Sequence, residues 1–152
     1  MNKKNSRIVA IGDLHGDFYT LLEALYKAKL IDIFGNWTGT NTYVIQLGDQ
    51  LDKSGRQHSI DNTNDPLEEL KIIEFLHYLH FKAVKKGGGV YSIIGNHELM
   101  NVLGDFRYAS ELHVLGFGGN SIRKQLFQPG GPIAKKIACH SNSIMQIGDW
   151  VF

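Results

Sequence analysis

Three short apolar runs, each closed by a glycine, punctuate the first hundred residues: Arg7-Ile8-Val9-Ala10-Ile11-Gly12, Tyr43-Val44-Ile45-Gln46-Leu47-Gly48 and Val90-Tyr91-Ser92-Ile93-Ile94-Gly95. They are short and rich in β-branched and aromatic residues, which predicts inner strands of a parallel sheet. Helical spacing lies between them. Asp17 predicts an N-cap, and Phe18, Leu21, Leu22 and Leu25 predict one face of a helix running to about Leu30. Asp65-Pro66-Leu67-Glu68 predicts a second helix start, with a cap, a proline at the first helical position and an acid at the third. That helix is expected to reach about Lys86, burying Leu70, Ile73, Leu76 and Val84. Lys82, Lys85 and Lys86 suit its negative end, and Gly87-Gly88-Gly89 stops it. Strand, turn and helix in this order make half of a βαβ unit, and the fold class predicted is α/β.

The rest of the pattern is weaker. Residues 35–42 and 53–64 read as polar loops, with Trp37 in the first capping the core and His58 in the second exposed. Glu98 to Leu103 is predicted helical. Between residues 110 and 142 the pattern is mixed: a turn around Gly116, Gly118 and Gly119, a helix over Ile122–Phe127, a loop at Gly130-Gly131-Pro132 and a short helix from Ile133 to about Ala138. Ser143–Ile147, Gly148-Asp149 and Trp150–Phe152 predict a hairpin. No repeat or low-complexity segment occurs.

The chemistry sits directly after the strand-ending glycines, where ligand sites of open α/β sheets gather. The first is followed by Asp13-Leu14-His15-Gly16, the second by Asp49-Gln50-Leu51-Asp52-Lys53, the third by Asn96-His97-Glu98. Asp13, His15, Asp49, Asn96 and His97 are the oxygen and imidazole donors that bind manganese, iron or zinc. Asp13 and His15 stand two apart, so on an extended turn both reach one ion. Asp49 has two oxygens and can bridge two ions, which about 3.5–4 Å apart hold an attacking hydroxide and a phosphoryl oxygen together. His97, where it is not a ligand, can protonate a leaving oxygen, with Asp52 orienting the ring. His77 and His80 are three apart but lack an acidic partner, and read as surface or core-edge residues. Arg107, in a loop after the third turn, reads equally as a phosphate contact or as half of a surface ion pair.

Composition adds bounds. The 152 residues predict one domain, and 43% hydrophobic content gives it a core. A net charge of +1 offers no argument for nucleic acid or an anionic membrane. Cys139 is the single cysteine, so no intrachain disulfide forms. No run approaches the ~20 apolar residues of a membrane span. The apolar run after the basic Met1–Arg7 ends at Gly12-Asp13, too short for a secretory core. A cytoplasmic protein is expected.

Gly12-Asp13-Leu14-His15-Gly16, Gly48-Asp49-Gln50-Leu51-Asp52 and Gly95-Asn96-His97-Glu98 resemble the first three signatures of the calcineurin-like metallophosphoesterases. Glu98 points to the phosphoprotein phosphatase branch. The run Gly95 to Tyr108 and the later Pro129-Gly130-Gly131-Pro132 are similar to Shewanella-like protein phosphatases. The resemblance implies the N-terminal half of a metallophosphoesterase β-sandwich flanked by helices. It implies two divalent ions, manganese first and iron or zinc as alternatives, and hydrolysis of phosphomonoesters on proteins (Ser/Thr or Tyr) by metal-bound hydroxide. By position, Asp13 and His15 would bind the first ion, Asp49 would bridge, Asn96 would bind the second, and His97 would be the general acid, paired with Asp52. Lys53 stands where the family has a phosphate-binding arginine, and Arg56 follows three residues on. The chain stops at Phe152, before the family's His-Gly-Gly signature and a later metal-binding histidine. A partial domain over residues 1–152 is therefore expected, with a weakly held second ion and little turnover of its own. Two other functions remain open: hydrolysis of dinucleoside polyphosphates or other small phosphates, and a non-catalytic metal-binding role.

Overall fold

A computed structural model describes residues 6–53, 65 and 67–152. Arg56 and His58 from the polar loop lie outside the described residues, as does Pro66. The elements run β1 (Arg7–Ile11), α1 (Phe18–Lys27), β2 (Thr42–Gln46), α2 (Glu68–Val84), β3 (Gly89–Ile93), α3 (Asn96–Leu103), α4 (Glu111–Gly116), α5 (Asn120–Phe127), α6 (Pro132–His140), β4 (Ser141–Asn142), β5 (Gln146–Ile147) and β6 (Trp150–Val151). The first four strands form one parallel sheet in the order β1-β2-β3-β4, and β5 and β6 form an antiparallel hairpin. The molecule is a mixed α/β structure with a parallel sheet and helices, as the strand–helix alternation predicts.

α1 begins as expected, with the Asp17 carboxylate accepting from the Thr20 N–H at 2.9 Å. α2 differs from expectation. Asp65 accepts from the Leu67 N–H, but the helix proper starts at Glu68. Glu68 and Glu69 are buried and turned toward the loop after β2, so they serve that loop rather than the helix end. Val84, predicted buried, is 51% exposed, because the inward stripe runs through Ile72, Leu76, Leu79 and Ala83, one step off. α3 starts at Asn96, two residues earlier than predicted, since the Glu98 carboxylate reaches back to the Gly95 N–H at 2.8 Å and closes the first turn. α4 and β4 have no counterpart in the sequence reading; one turn of helix and a two-residue strand are too short to leave a period.

Two apolar clusters hold these elements. Ile11, Val44 and Val90 from the sheet pack with Leu21 and Leu25 of α1 and Ile72, Leu76 and Leu79 of α2; Trp37 lies against this cluster. Leu51 and Ile73 pack with Phe117, Phe127, Ile133 and Ile137 in the second. α2 contributes to both, so the helices after residue 110 are fixed to the body through it.

Candidate metal centre

Parallel pairing puts Ile11 opposite Gln46 and Gln46 opposite Ser92. The carboxyl ends of β1, β2 and β3 therefore line up, and residues far apart in sequence, His15 and His97 among them, arrive at one edge. Hydrogen bonds then stitch the turns together. Leu14 and His15 both donate their N–H to the Asp49 carbonyl, and Gly16 donates to that of Gln50. The buried Gln46 side chain bridges the first two turns, donating to the carbonyls of Gly12 and Gly48. Glu98 ties the third turn to the second, accepting from the N–H groups of Gly95, Asp49 and Gln50 at 2.8–2.9 Å. Burial, the largest influence, pushes the Glu98 carboxyl above the usual glutamate range, against the pull of those three amides.

This closeness demands glycine at two points. A Cβ on Gly48, which has φ +96°, would sit 2.6 Å from the Gly95 nitrogen, and a Cβ on Gly95 would collide with the Asp49 carboxylate. His15, Asp49 and Asp52 themselves hold positive φ values of 43°, 53° and 66°. Non-glycine residues rarely adopt that region, and the strain is stored where the side chains converge.

One ligand atom each from His15, Asp49 and His97 lies within 4.8 Å of the others. The Asp13 carboxylate, 62% exposed, stands 3.6 Å from His15 Nε2 and completes the edge. Asn96 is exposed at the start of α3, next to His97. Of the predicted ligands, then, His15 and Asp49 share one place with His97, whereas Asp13 reaches it only through His15 and Asn96 is not brought into that group. Asp49 Oδ1 accepts from the His97 N–H at 2.9 Å, which anchors the third turn on the second.

Each imidazole is held by its other nitrogen. His15 Nδ1 lies 3.3 Å from the Leu51 carbonyl. A carbonyl only accepts, so Nδ1 carries the proton and Nε2 keeps its lone pair beside Asp13. His97 Nδ1 lies 2.8 Å from Asp52 Oδ2, with Asp52 itself buried. The pairing of His97 with Asp52 that the resemblance implies is thus a close buried contact. The His15 Nε2 and the carboxylate oxygens around it suit a borderline divalent ion, and His97 stands beside them with its own Nδ1 held by Asp52.

Behind Asp52 lies a buried polar cluster that sequence reasoning missed. Asn101 and Arg123 both donate to Asp52 Oδ1, at 2.9 and 3.3 Å. Arg123 also bonds Glu69, which faces His113 at 3.0 Å and accepts from the N–H groups of Asp52 and Lys53. Burial alone would raise the Glu69 carboxyl, but His113 and Arg123 outweigh it and hold it below the usual glutamate range. These residues are scattered over α2, α3, α4 and α5, and no local spacing links them.

The expected phosphate contacts separate. Lys53 Nζ is 2.5 Å from Glu68 and nearly buried. Arg107 is exposed and paired with Asp105 at 2.7 Å. Beside it, the Tyr108 ring lies 5.2 Å from that of His97. Among the described residues, no helix is long and apolar enough to cross a membrane.

The calcineurin-like phosphoesterase family model matches residues 6–150. Shewanella-like protein phosphatase 2 of Arabidopsis thaliana is 34% identical, over 99% of this chain and 46% of its own length. Shewanella-like protein phosphatase 1 of Plasmodium berghei is 36% identical, over 78% of this chain and 29% of its own. The chain thus spans less than half the length of these relatives. Among solved structures, the cold-active protein tyrosine phosphatase of a psychrophilic Shewanella species superposes with a TM-score of 0.72 at 26% identity, covering 96% of this chain and 42% of that one. A point mutant of a cold-active protein tyrosine phosphatase gives 0.74, also at 26% identity and over the same shares of both chains.

Proposed function

Because the chain belongs to the calcineurin-like phosphoesterase family, we propose that its sheet-edge site hydrolyses phosphomonoesters on proteins, with two divalent metal ions as cofactor and manganese the first choice. The observation that carries this reading is the convergence of His15, Asp49 and His97, with His97 Nδ1 held at 2.8 Å by a buried carboxylate.

Asp13 and His15 would hold a first ion, and Asp49 and Asn96 would supply the remaining side-chain ligands of the pair. When bound there, divalent ions would supply an acidified water as nucleophile and positive charge against the phosphoryl oxygens. The Leu51 carbonyl keeps His15 Nε2 aimed at the ligand edge. His97 gives the proton on its Nε2 to the leaving oxygen as the phosphorus–oxygen bond breaks. Asp52 holds Nδ1 and offsets the ring's charge before transfer. Lys53, tied to Glu68, lends charge rather than a bidentate grip, which leaves Arg107 and Arg56 as the guanidinium candidates for the phosphoryl group. The names of the relatives and of the solved neighbours support a phosphorylated protein as substrate, with phosphotyrosine tried first.

The test is release of phosphate from para-nitrophenyl phosphate, phosphotyrosine and phosphoserine peptides and dinucleoside tetraphosphate, in manganese and in EDTA. The rate on phosphopeptides should require manganese and vanish in Asp49→Asn. Faster turnover of dinucleoside tetraphosphate than of any phosphopeptide would instead make the protein a small-phosphate hydrolase. A rate unchanged by EDTA and by Asp49→Asn would leave the site without a catalytic role.

A further inference from the structure

We propose that Arg123 is a positioning residue for His97: it acts through Asp52 and makes the helices beyond residue 110 part of the proton-donating apparatus. The proposal rests on the reading of His97 as proton donor.

Arg123 lies on α5, 26 residues beyond His97 in sequence, and is fully buried. An arginine is almost never enclosed without partners. Here Nε donates to Asn101 Oδ1 at 2.9 Å, and Nη2 donates to Glu69 Oε2 at 2.8 Å and Asp52 Oδ1 at 3.3 Å. The rings of Phe106, Phe117 and Phe127 surround the guanidinium at 5.5, 4.9 and 5.0 Å. Nη1 meets no acceptor among the described residues. A group buried at that cost is held for the geometry of its Nε and Nη2 contacts.

That geometry bears on Asp52 twice. A carboxylate turns about its Cβ–Cγ bond, and only one orientation gives His97 an oxygen in line. Arg123 pins Oδ1 directly. It also caps the Asn101 oxygen, which leaves the Asn101 amide nitrogen for Oδ1 and for the His97 carbonyl. With Oδ1 fixed from two helices, Oδ2 has nowhere to face but Nδ1 of His97. The same guanidinium stands between Asp52 and Glu69, two buried acids that would otherwise repel each other. Remove it and Asp52 is free to turn. A residue that merely filled space would leave the aim of the ring untouched.

Arg123→Lys is the first variant, since it keeps the charge but cannot reach Asn101 and both acids together. Arg123→Met is the second. The first readout needs no turnover: the imidazole Nδ1–H proton of His97 by NMR on the 152-residue chain, assigned by its loss in His97→Asn. In the unaltered chain this proton, bonded to a buried carboxylate, should appear at low field and exchange slowly. Arg123→Lys should shift it and speed its exchange, and Arg123→Met should abolish it. The second readout is the leaving group. With phenyl phosphate, which needs a proton donor, kcat should fall about 10–100-fold at unchanged KM, the usual cost of losing a group that orients a functional side chain. With para-nitrophenyl phosphate the loss should be small. An unchanged His97 resonance in a folded variant, or equal losses on both esters, overturns the proposal. If Arg123→Met does not fold, Arg123→Lys decides. If His97→Asn costs nothing on either ester, the proton-donor reading has failed, and the resonance alone decides whether Arg123 aims the ring.

Discussion

His15 and His97 meet edge to face at the sheet edge, ring centroids 4.6 Å apart, and His77 and His140 lie tilted across the seam of α2 and α6 at 3.4 Å. The second pair is the closer, yet it lacks what makes the first a site. His15 is aimed by a backbone carbonyl and His97 by a buried carboxylate. Among the described residues no hydrogen bond orients His77 or His140, and the charged groups near them are His80 and Lys136, which are cationic or become so. A metal or a proton needs a nitrogen held at a known angle, and mutual closeness of imidazoles does not provide that. The contrast follows from the elements. His15 hangs from a turn locked to the second turn by backbone hydrogen bonds, and His97 from the first turn of α3, tied there by the Glu98 and Asp49 carboxylates, whereas the seam rings project from helix surfaces with no such tie among the described residues.

The largest effect expected is at the first pair. His97→Asn should lower kcat on an unactivated phosphomonoester by about 10²–10⁴-fold, the usual worth of a general acid. His77→Asn should leave kcat unchanged. Equal losses from the two substitutions would erase the distinction.

Next is the support behind His97. Glu69→Gln leaves Arg123 with one acid fewer in a fully buried cluster, and breaking such a pair costs about 3–5 kcal/mol. Its pH dependence has a definite sign. The folded carboxyl of Glu69 lies below its ordinary value of 4.5, so its stabilisation is complete above that pH and is lost as the pH falls through the lower, folded value. Denaturant titrations between pH 7 and pH 3 should show a steeper loss for the unaltered chain than for Glu69→Gln. Parallel curves would mean that Glu69 does not carry the network's charge.

The smallest effect belongs to the seam. Burial, and then the neighbouring positive groups, lower the affinity of His77 and His140 for protons in the folded state. Stability from this pair is therefore present above the ordinary value of 6.5 and lost as the pH falls below it. His77→Ala should slightly flatten the melting-temperature profile between pH 7 and pH 5. A steeper profile in the variant would reverse the assigned sign.

The same contrast explains what could be read from the chain. β1, β2 and β3 were legible because inner parallel strands are apolar runs, and each was stopped by a glycine with ligand-type residues after it. Asp13, His15, Asp49 and His97 follow directly from that local pattern. Asp52 is legible as a partner as the second carboxylate after the glycine that follows β2 and through the family resemblance. Glu69, Asn101, His113 and Arg123 were not legible. Most of their partners lie on other elements, as far as 71 residues away, and each alone looks like an ordinary polar residue of a helix. Glu68 reads as a helix-start acid, because local propensity cannot see that the loop after β2 recruits both it and Glu69. Arg107 was left between two roles, and the structure supplies a local partner, Asp105, without bringing it to the triad.

The central claim is that two neighbouring histidines divide the labour, His15 holding metal and His97 moving a proton. Manganese affinity of the 152-residue chain, measured by titration calorimetry or by the EPR signal of the free ion, tests it without requiring turnover. His15→Ala should weaken manganese binding by at least about 100-fold, beyond the 10–100-fold typical of a group that only orients a ligand. His97→Asn should leave it within a few-fold of the unaltered chain. If His97→Asn weakens manganese as much as His15→Ala does, His97 is the third ligand of the triad, and the proton must come from elsewhere.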